Sequence, residues 1–214
     1  LHTDELLGAV VDRAKGLRTD RRMSHVFIMD VPTYPRPLFI SDAAINIAPD
    51  LATKADIVRN AIDCAHALGV PEPRVAVLAA VETVHPNMPA TLDAAALCKM
   101  ADRGQIEGAI IAGPLAFDNA VSPEAAERKG IRSAVAGRAD ILIVPDIEAG
   151  NMMAKQLFYL AAAQSAGLVM GARVPIMLTS RADGRLSRLA SAAAALLVAR
   201  RQKSMRAAKQ DSPA

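Results

Sequence analysis

The sequence predicts an α/β protein with a mainly parallel sheet and helices on both faces. Its 214 residues are 52% hydrophobic but only 3% aromatic, and they include no tryptophan. Aliphatic side chains must therefore fill the core. Segments with helical spacing alternate with short apolar runs, and glycine or proline often separates the two. This alternation is typical of parallel strands, because each connection between parallel neighbours needs a crossover such as a helix.

The first predicted elements are a helix and two short strands. Apolar residues recur at helical spacing between residues 3 and 15, where Thr3 is a candidate N-cap. Residues 25–31 and 38–41 are short apolar runs, and three prolines lie between them. Because proline cannot donate to a strand ladder, these two strands are expected at an edge or in a hairpin-like excursion.

The later elements follow a regular order of helix and strand. A helix over residues 52–68 ends at Gly69 and Pro71, and the apolar strand 75–78 follows it. The same order continues with a helix at 91–103, a strand at 108–112, a short helix after Ser122, a strand at 141–144, a helix at 149–163, a strand at 174–179 and a helix at 185–201.

The basic charge lies at one end of the chain. The formal net charge is +3, and residues 200–214 contribute five basic side chains against one acidic side chain, so the rest is nearly neutral. Neither stacking aromatic residues nor a clustered basic face accompanies this segment. The sequence therefore predicts a solvated helix end with a frayed terminus, and no nucleic-acid partner.

The cysteines and the apolar runs suggest where the protein resides. Cys64 and Cys98 lack the short spacing of a metal site, and no secretory leader precedes them. The longest mostly apolar run, residues 189–199, is shorter than the roughly 20 residues of a membrane helix. We expect a cytoplasmic protein without a membrane partner or a structural metal. The chain opens with Leu1 inside a helical pattern, so a preceding segment is also expected.

Three predicted junctions between a strand and the next helix carry unusual side chains. Such junctions collect ligands in open parallel sheets, because the N–H groups of the next helix and the loop side chains converge there. The junctions are residues 112–118, with Gly113, Pro114 and Asp118; residues 144–151, with Asp146, Glu148 and Asn151; and residues 178–184, with Ser180, Arg181 and Asp183.

Ser180 and Arg181 are chemically suited to a phosphate group. A guanidinium offers paired donors to phosphate oxygens, and a neighbouring hydroxyl can reach a third oxygen. The same residues also fit structural roles, with Ser180 as an N-cap and Arg181 paired with Asp183. Acidic residues such as Asp146 likewise favour helix N-termini, where the helix dipole stabilises them.

The order of motifs resembles a known family. Residues 113–118, 120–123, 135–140 and 145–151 are together similar to the motifs of phosphate acetyltransferases. The stretches 24–27, 42–46 and 178–181 look like the phosphate butyryltransferase branch. The resemblance covers the chain from about residue 2 to the last helix. Several motifs in the same order are far more specific than any one of them.

The resemblance implies a fold of two α/β domains, related to isocitrate and isopropylmalate dehydrogenases, with the active site between them. Residues 16–168 would form the second domain. Residues 1–15 and 169–202 would be a remnant of the first domain, whose remainder is expected upstream. Residues 203–214 would be a disordered basic tail.

The resemblance also implies the reaction, a reversible transfer of a short acyl group, acetyl or butyryl, between coenzyme A and inorganic phosphate. The thiol of coenzyme A would attack an acyl phosphate, so the chain would need no cofactor beyond its substrates. In the family a Ser-Arg pair after the last strand takes part in catalysis, and it corresponds to Ser180 and Arg181. The family's catalytic Asp would lie near Ser187 here, so Asp183 is the proposed base, and His25 and His85 are alternatives on general chemical grounds.

The substrate-binding candidates complete the site that the resemblance implies. Family members usually pair as dimers, so a homodimer is expected, while the length of the acyl chain cannot be read from the sequence. The binding candidates are Thr3, Gly113, Pro114, Asp118, Asp146, Glu148 and Asn151.

Two other classes of function remain open at this point. A dehydrogenase of the same fold would need a dinucleotide loop or a cluster of metal-binding aspartates, and the sequence contains no G-x-G-x-x-G. A non-catalytic or truncated domain of a larger fusion could bind acyl-CoA without turning it over.

Overall fold

A computed structural model describes residues 8–10, 12, 15–179 and 184–210 of the chain. The described residues form a seven-stranded sheet in the order β4-β3-β5-β2-β1-β6-β7. The strands are β1 (Ser24–Asp30), β2 (Leu38–Ser41), β3 (Arg74–Leu78), β4 (Ile110–Leu115), β5 (Ile141–Ile143), β6 (Gln164–Met170) and β7 (Ile176–Met177). The helices are α1 (Leu51–Ala67), α2 (Pro89–Asp102), α3 (Phe117–Val121), α4 (Pro123–Arg128), α5 (Ile147–Leu160) and α6 (Arg185–Gln210), and residues 8–10 are also helical.

The sheet is mixed, with a parallel half. β4, β3, β5 and β2 pair in parallel, whereas β1 is antiparallel to both β2 and β6, and β7 is antiparallel to β6. Strands β2 to β6 thus run in one direction, and β1 and β7 run in the other. This confirms the coarse prediction of a mostly parallel α/β sheet.

Helices cover both faces of the sheet because the strands alternate their buried side chains. On β3, Val75 and Val77 join one hydrophobic core, whereas Ala76 and Leu78 join the other. The first face packs against α1, α2 and α6, and the second face packs against α3, α4 and α5. The cores are aliphatic, as the composition predicts, and Phe39 is their one fully buried aromatic ring among the described residues.

Several elements differ from the prediction. Strand β6 lies directly after the predicted helix 149–163, where no strand was predicted, and β7 is shorter than the predicted strand 174–179. Strand β4 continues through Pro114, where an exit from the strand was expected. Helix α6 extends to Gln210, so residues 203–210, expected to be disordered, are helical.

The predicted domain division is not decided by this sheet. Strand β6 crosses the proposed boundary at residues 168 and 169 and pairs with β1 along its whole length. Helix α6 packs its buried residues Ala194 and Val198 into the core of the first face. Most of the predicted helix 3–15 lies outside the described residues. None of the helices in the described part of the chain is long and apolar enough to span a membrane.

Candidate active site

A cavity of about 390 Å³ lies on the second face of the sheet, beneath α5. Its floor comes from β1, where His25, Phe27 and Met29 line the cavity. These residues are two positions apart, so they project from the same face of the strand. Ser165 of β6 pairs with Met29 and adds a hydroxyl to the floor. The floor is therefore built by the antiparallel pair β1 and β6.

The wall of the cavity is one stripe of α5. Ile147, Asn151, Ala154, Lys155 and Phe158 line it at the spacing that places side chains along one side of a helix. The remaining lining residues are Ala44 after β2, Tyr159 at the end of α5, and Leu178 and Thr179 after β7.

Gly167 makes room for the histidine on the floor. The His25 side chain is buried, its Nε2 atom lies 3.4 Å from the carbonyl oxygen of Leu178, and its ring packs edge-on against Phe27 at 4.3 Å. A Cβ atom at position 167 would overlap that carbonyl oxygen and lie 2.8 Å from Nε2 of His25. Glycine is therefore required for this arrangement of the floor and the chain after β7.

The first turn of α5 is fixed against the loop after β2. The Asp146 carboxylate accepts a hydrogen bond from Ala149 N–H at 2.8 Å and caps the helix. At Gly150 an added Cβ would lie 2.9 Å from the carbonyl oxygen of Asp42, so the helix approaches this loop as closely as glycine allows. Asn151 donates from Nδ2 to the carbonyl oxygen of Ala43 at 3.2 Å.

The loop after β2 is itself held by a buried carboxylate. Asp42 accepts hydrogen bonds from the N–H groups of Ala44, Ile45 and Asn46, at 2.9 to 3.1 Å, and from the Asn46 side chain at 2.6 Å. This network satisfies the carboxylate and fixes Ala44 at the cavity. The family-like stretch 42–46 therefore shapes the wall opposite α5.

The structure brings some of the predicted site residues to this cavity. Asn151 lines it, and so does Thr179, the residue before Ser180. Ser180, Arg181 and Asp183, the catalytic candidates, lie outside the described residues, as does the binding candidate Thr3. The junction at residues 144–151, which contains Asn151, also has two acidic candidates. Asp146 caps α5, and the exposed Glu148 does not line the cavity.

The candidates Gly113, Pro114 and Asp118 lie at the other end of the sheet. Five steps separate β4 from β6, which is about 24 Å at the usual strand spacing. Gly113 allows close packing, since an added Cβ would lie 2.8 Å from the carbonyl oxygen of Val77. Asp118 is half-exposed and lies 3.4 Å from Nζ of Lys129. Within one chain these residues do not reach the cavity beneath α5.

Charge at the cavity suits an anionic ligand. Among the described lining residues, Lys155 is the only Lys, Arg, Asp or Glu, and in the described part of the chain its ammonium group forms no ion pair. No three His, Cys, Asp or Glu side chains of the described residues are grouped to hold a metal ion. The cavity therefore combines an apolar interior with one positive charge at its rim.

A larger cavity of about 730 Å³ lies near α1 and the end of α6, and it contains none of the candidate residues. Two of its three arginines are already in ion pairs, Arg21 with Asp63 at 2.5 Å and Arg59 with Asp56 at 2.9 Å, and Arg206 donates to the carbonyl oxygen of Arg173. We therefore take the cavity beneath α5 as the candidate site.

The two thiols lie in helices away from this site. Burial raises the pKa of Cys64 to about 12 and that of Cys98 to about 11, so both remain protonated at neutral pH. Neither residue lines the cavity beneath α5. Cys64 is a core residue, as the sequence indicates, whereas Cys98 is partly buried and its thiol donates to the carbonyl oxygen of Gly113.

Sequence reasoning missed most of the cavity lining. Phe27, Met29, Lys155, Phe158 and Ser165 were not candidates, although the alternation along β1 and the helical stripe of α5 could have grouped most of them. Ser165 gave no such signal, because the strand that carries it was not predicted.

The comparisons with known proteins agree with one family. Residues 2–196 match the family described as Phosphate acetyl/butaryl transferase. The chain is 62% identical to a phosphate acetyltransferase of Rhizobium meliloti, over 97% of this chain and 66% of that protein. It is 47% identical to a phosphate butyryltransferase of Clostridium acetobutylicum, over 93% of this chain and 66% of that protein.

A solved structure has the same fold. The chain superimposes on a branched-chain phosphotransacylase from Enterococcus faecalis V583 with a TM-score of 0.85 and 34% identity, over 93% of this chain and 71% of that one. The chain spans between about half and two thirds of the length of the curated relatives that it matches. On the strength of the match over residues 2–196, the chain belongs to the phosphate acetyl/butyryl transferase family.

Proposed function

We propose that this protein transfers a short acyl group, acetyl or butyryl, reversibly between coenzyme A and inorganic phosphate. The observation that carries the proposal is the position of the cavity beneath α5. It is lined by Thr179, and the Ser180-Arg181 pair of the family motif follows Thr179 directly in the sequence. Family membership and this position together support an acyltransferase site.

The reaction requires one bond to form and another to break at the acyl carbonyl carbon. The sulfur of coenzyme A attacks this carbon, and the carbon–oxygen bond to phosphate breaks, which leaves the thioester and inorganic phosphate. Negative charge develops on the carbonyl oxygen and on the leaving phosphate. Arg181 would hold the phosphate through paired donors, and Ser180 would hydrogen-bond the reacting carbonyl.

The attacking thiol must also lose its proton. Asp183 is the proposed base, because it follows Arg181 by two residues and the family's acidic position falls near Ser187 in this chain, where no acid stands. In the structure Ser187 is buried on α6 and does not line the cavity. A base from the segment before α6 therefore fits the proposal better than one from the helix itself.

The described part of the cavity would contribute positioning and exclusion of water. Phe27, Met29 and Phe158 present apolar surface, which would shield a reactive acyl phosphate from hydrolysis. Lys155 at the rim would attract the anionic substrates. Asn151 would keep the first turn of α5 in register with the loop after β2.

Finer features of the family belong to the same proposal. The chain would be part of a two-domain fold like that of isocitrate and isopropylmalate dehydrogenases, divided at residues 16–168, with an active site that also faces the other domain. It would act as a homodimer in the cytoplasm, with coenzyme A and phosphate as substrates and no further cofactor.

The test is thioester formation by the full chain. Coenzyme A is mixed with acetyl phosphate or butyryl phosphate, and the thioester absorbance is followed for the wild type, Arg181→Ala and the control Arg201→Ala, an exposed position on α6. We expect turnover by the wild type and the control, and a loss of about a hundredfold or more for Arg181→Ala. Equal rates for the two variants would remove Arg181 from the mechanism, and binding of coenzyme A without turnover by the wild type would favour an acyl-CoA-binding module.

A further inference from the structure

The floor of the cavity beneath α5 carries a buried hydroxyl group that has no partner in the described part of the chain. Ser165 lines the cavity, and only 7% of its surface is exposed. None of the hydrogen bonds among the described residues involves its side chain. By contrast, the buried hydroxyls of Ser24, Ser41 and Ser191 each have a protein partner. The hydroxyl of Ser165 is therefore available to the molecule that fills the cavity.

The strand pairing directs this hydroxyl into the cavity. Ser165 lies opposite Met29 in the antiparallel pair of β6 and β1, so the two side chains project from the same face of the sheet. The surrounding lining is largely apolar, with Phe27 beside Met29 and Phe158 on α5. A bound molecule that displaces solvent from this floor must offer the hydroxyl a hydrogen bond, because a buried polar group without one weakens binding.

Two other polar groups of the lining are already bonded within the protein. Nε2 of His25 lies 3.4 Å from the carbonyl oxygen of Leu178, and Nδ2 of Asn151 donates to the carbonyl oxygen of Ala43 at 3.2 Å. These bonds fix the two groups to neighbouring chain segments. Ser165 has no such structural task among the described residues, so recognition of a ligand atom is the role that its hydroxyl can serve.

Ser165 lies close to the proposed reaction centre. Leu178 and Thr179, which directly precede Ser180, also line the cavity. The N–H group of Leu178 donates to the carbonyl oxygen of Gly167 at 3.3 Å. Ser165 precedes Gly167 by two residues on β6, which is about 7 Å along the strand. A substrate atom that meets Ser165 would therefore lie only a few bonds from a carbonyl group that reacts beside Thr179.

We propose that Ser165 contacts the substrate and that its hydroxyl donates a hydrogen bond to an oxygen atom near the reacting carbonyl. The proposal rests on the proposed function, because it takes acyl-CoA as the occupant of the cavity. Two parts of acyl-CoA can supply such an oxygen: the amide carbonyl of the pantetheine arm that is nearest to the sulfur, and a hydroxyl substituent on the acyl chain. A plain alkyl chain would leave the hydroxyl of Ser165 without a partner.

Binding of three compounds to the wild type and to Ser165→Ala tests this contact and separates the two sources. The compounds are coenzyme A, butyryl-CoA and 3-hydroxybutyryl-CoA, and the last two differ by one oxygen atom. Isothermal titration of the full chain without phosphate gives each Kd. If the amide is the partner, Ser165→Ala should weaken all three compounds about fivefold, the usual effect of one neutral hydrogen bond. If the acyl oxygen is the partner, only 3-hydroxybutyryl-CoA should weaken by that factor.

Thermal unfolding distinguishes a substrate contact from a role in the fold. Ser165→Ala should keep the wild-type melting temperature, because the hydroxyl has no partner among the described residues. The matched control Ser204→Ala, at an exposed position on α6, should keep both the melting temperature and every Kd. A clear fall in the melting temperature of Ser165→Ala would assign the hydroxyl to the fold and overturn the proposal.

The remaining outcomes separate this contact from the proposed function. If Ser165→Ala binds all three compounds as tightly as the wild type, the contact is wrong, and formation of a thioester from coenzyme A and acetyl phosphate by the wild type would leave the transferase intact. If the wild type binds none of the compounds and forms no thioester, the proposed function fails and the contact fails with it.

Discussion

The side-chain amide of Asn151 donates a hydrogen bond to the backbone carbonyl of Ala43, 3.2 Å away. This bond joins α5 to the loop after β2, so it connects the wall of the cavity to the chain that faces it. Asn151 also lines the cavity. One residue thus combines a structural bond with a position at the candidate site.

Asn151→Ala should lower both stability and substrate affinity. The lost hydrogen bond is worth about 1 kcal/mol in the free energy of unfolding, because the carbonyl of Ala43 loses a partner in a half-buried place. The Michaelis constant for coenzyme A should rise several-fold as the wall shifts. Urea unfolding and steady-state kinetics measure the two effects. Asn87→Ala, in an exposed loop, is the control, and equal behaviour of the two variants would contradict the role of Asn151.

Gly167→Ala should be strongly destabilising. The added methyl group would overlap the carbonyl oxygen of Leu178 and crowd His25, so the strand pair or the chain after β7 must move. We expect a loss of about 1 to 3 kcal/mol, the usual cost of overpacking a core. Gly8→Ala is the matched control, because no atom of the described residues lies within 4 Å of a Cβ atom there. Thermal unfolding compares the two variants. A Gly167→Ala protein as stable as the wild type would mean that Gly167 lies farther from the chain after β7 than the structure shows.

Gly167 also explains why strand β6 could not be predicted. Ser165, Ala166 and Gly167 have low strand propensity, and a local pattern gave no reason to place a strand there. The strand exists because Gly167 fits between His25 and the chain after β7, which is a tertiary constraint. By contrast, β3 and β5 are apolar runs between glycine, proline and helical segments, so the sequence predicts them directly.

The sequence also predicted only the part of the candidate site that local motifs define. The motif that contains Asn151 pointed to the first turn of α5, and the structure places that turn at the cavity. The motif that contains Gly113 and Asp118 was expected at the same site, but the strand order puts β4 at the far edge of the sheet. Strand order depends on which crossovers pack together, and this information is not local in the sequence.

The buried ion pair between α1 and α2 provides a test of packing away from the cavity. Nζ of Lys54 lies 2.6 Å from Oδ2 of Asp93, and the lysine side chain is 7% exposed. Asp93→Leu should cost about 3 kcal/mol, because it leaves the buried ammonium group without its partner. The double variant Lys54→Met with Asp93→Leu should recover most of this loss. A double variant less stable than Asp93→Leu alone, measured by urea unfolding, would indicate that the pair itself stabilises the fold.

The thiols should make stability fall at alkaline pH. Burial raises the folded-state pKa of Cys64 to about 12, above the value of about 8.5 for an exposed thiol. The unfolded chain therefore loses this proton at lower pH than the folded chain, so the stabilising contribution is complete below about pH 8.5 and declines as the pH rises towards 12. Urea unfolding at pH 7 and pH 10 should show a smaller decline in the free energy of unfolding for Cys64→Ala than for the wild type.

The reactivity of the thiols gives a second measurement. In the folded wild type, both thiols should react slowly with a disulfide reagent at pH 8, and rapid labelling of Cys64 would contradict its burial.

Lys155→Glu should weaken the binding of anionic substrates at the rim of the cavity. The change replaces the only Lys, Arg, Asp or Glu among the described lining residues by one of opposite sign, so acyl phosphate and coenzyme A would meet repulsion instead of attraction. We expect the Michaelis constant to rise several-fold with little change in turnover, because the rim does not touch the reacting carbonyl. Salt should reduce the difference from the wild type, since the interaction is exposed and screened within about 10 Å at 0.1 M ionic strength. Lys203→Glu on the exposed end of α6 is the matched control. A Michaelis constant that is unchanged in Lys155→Glu at low salt would show that substrates enter without passing this side chain.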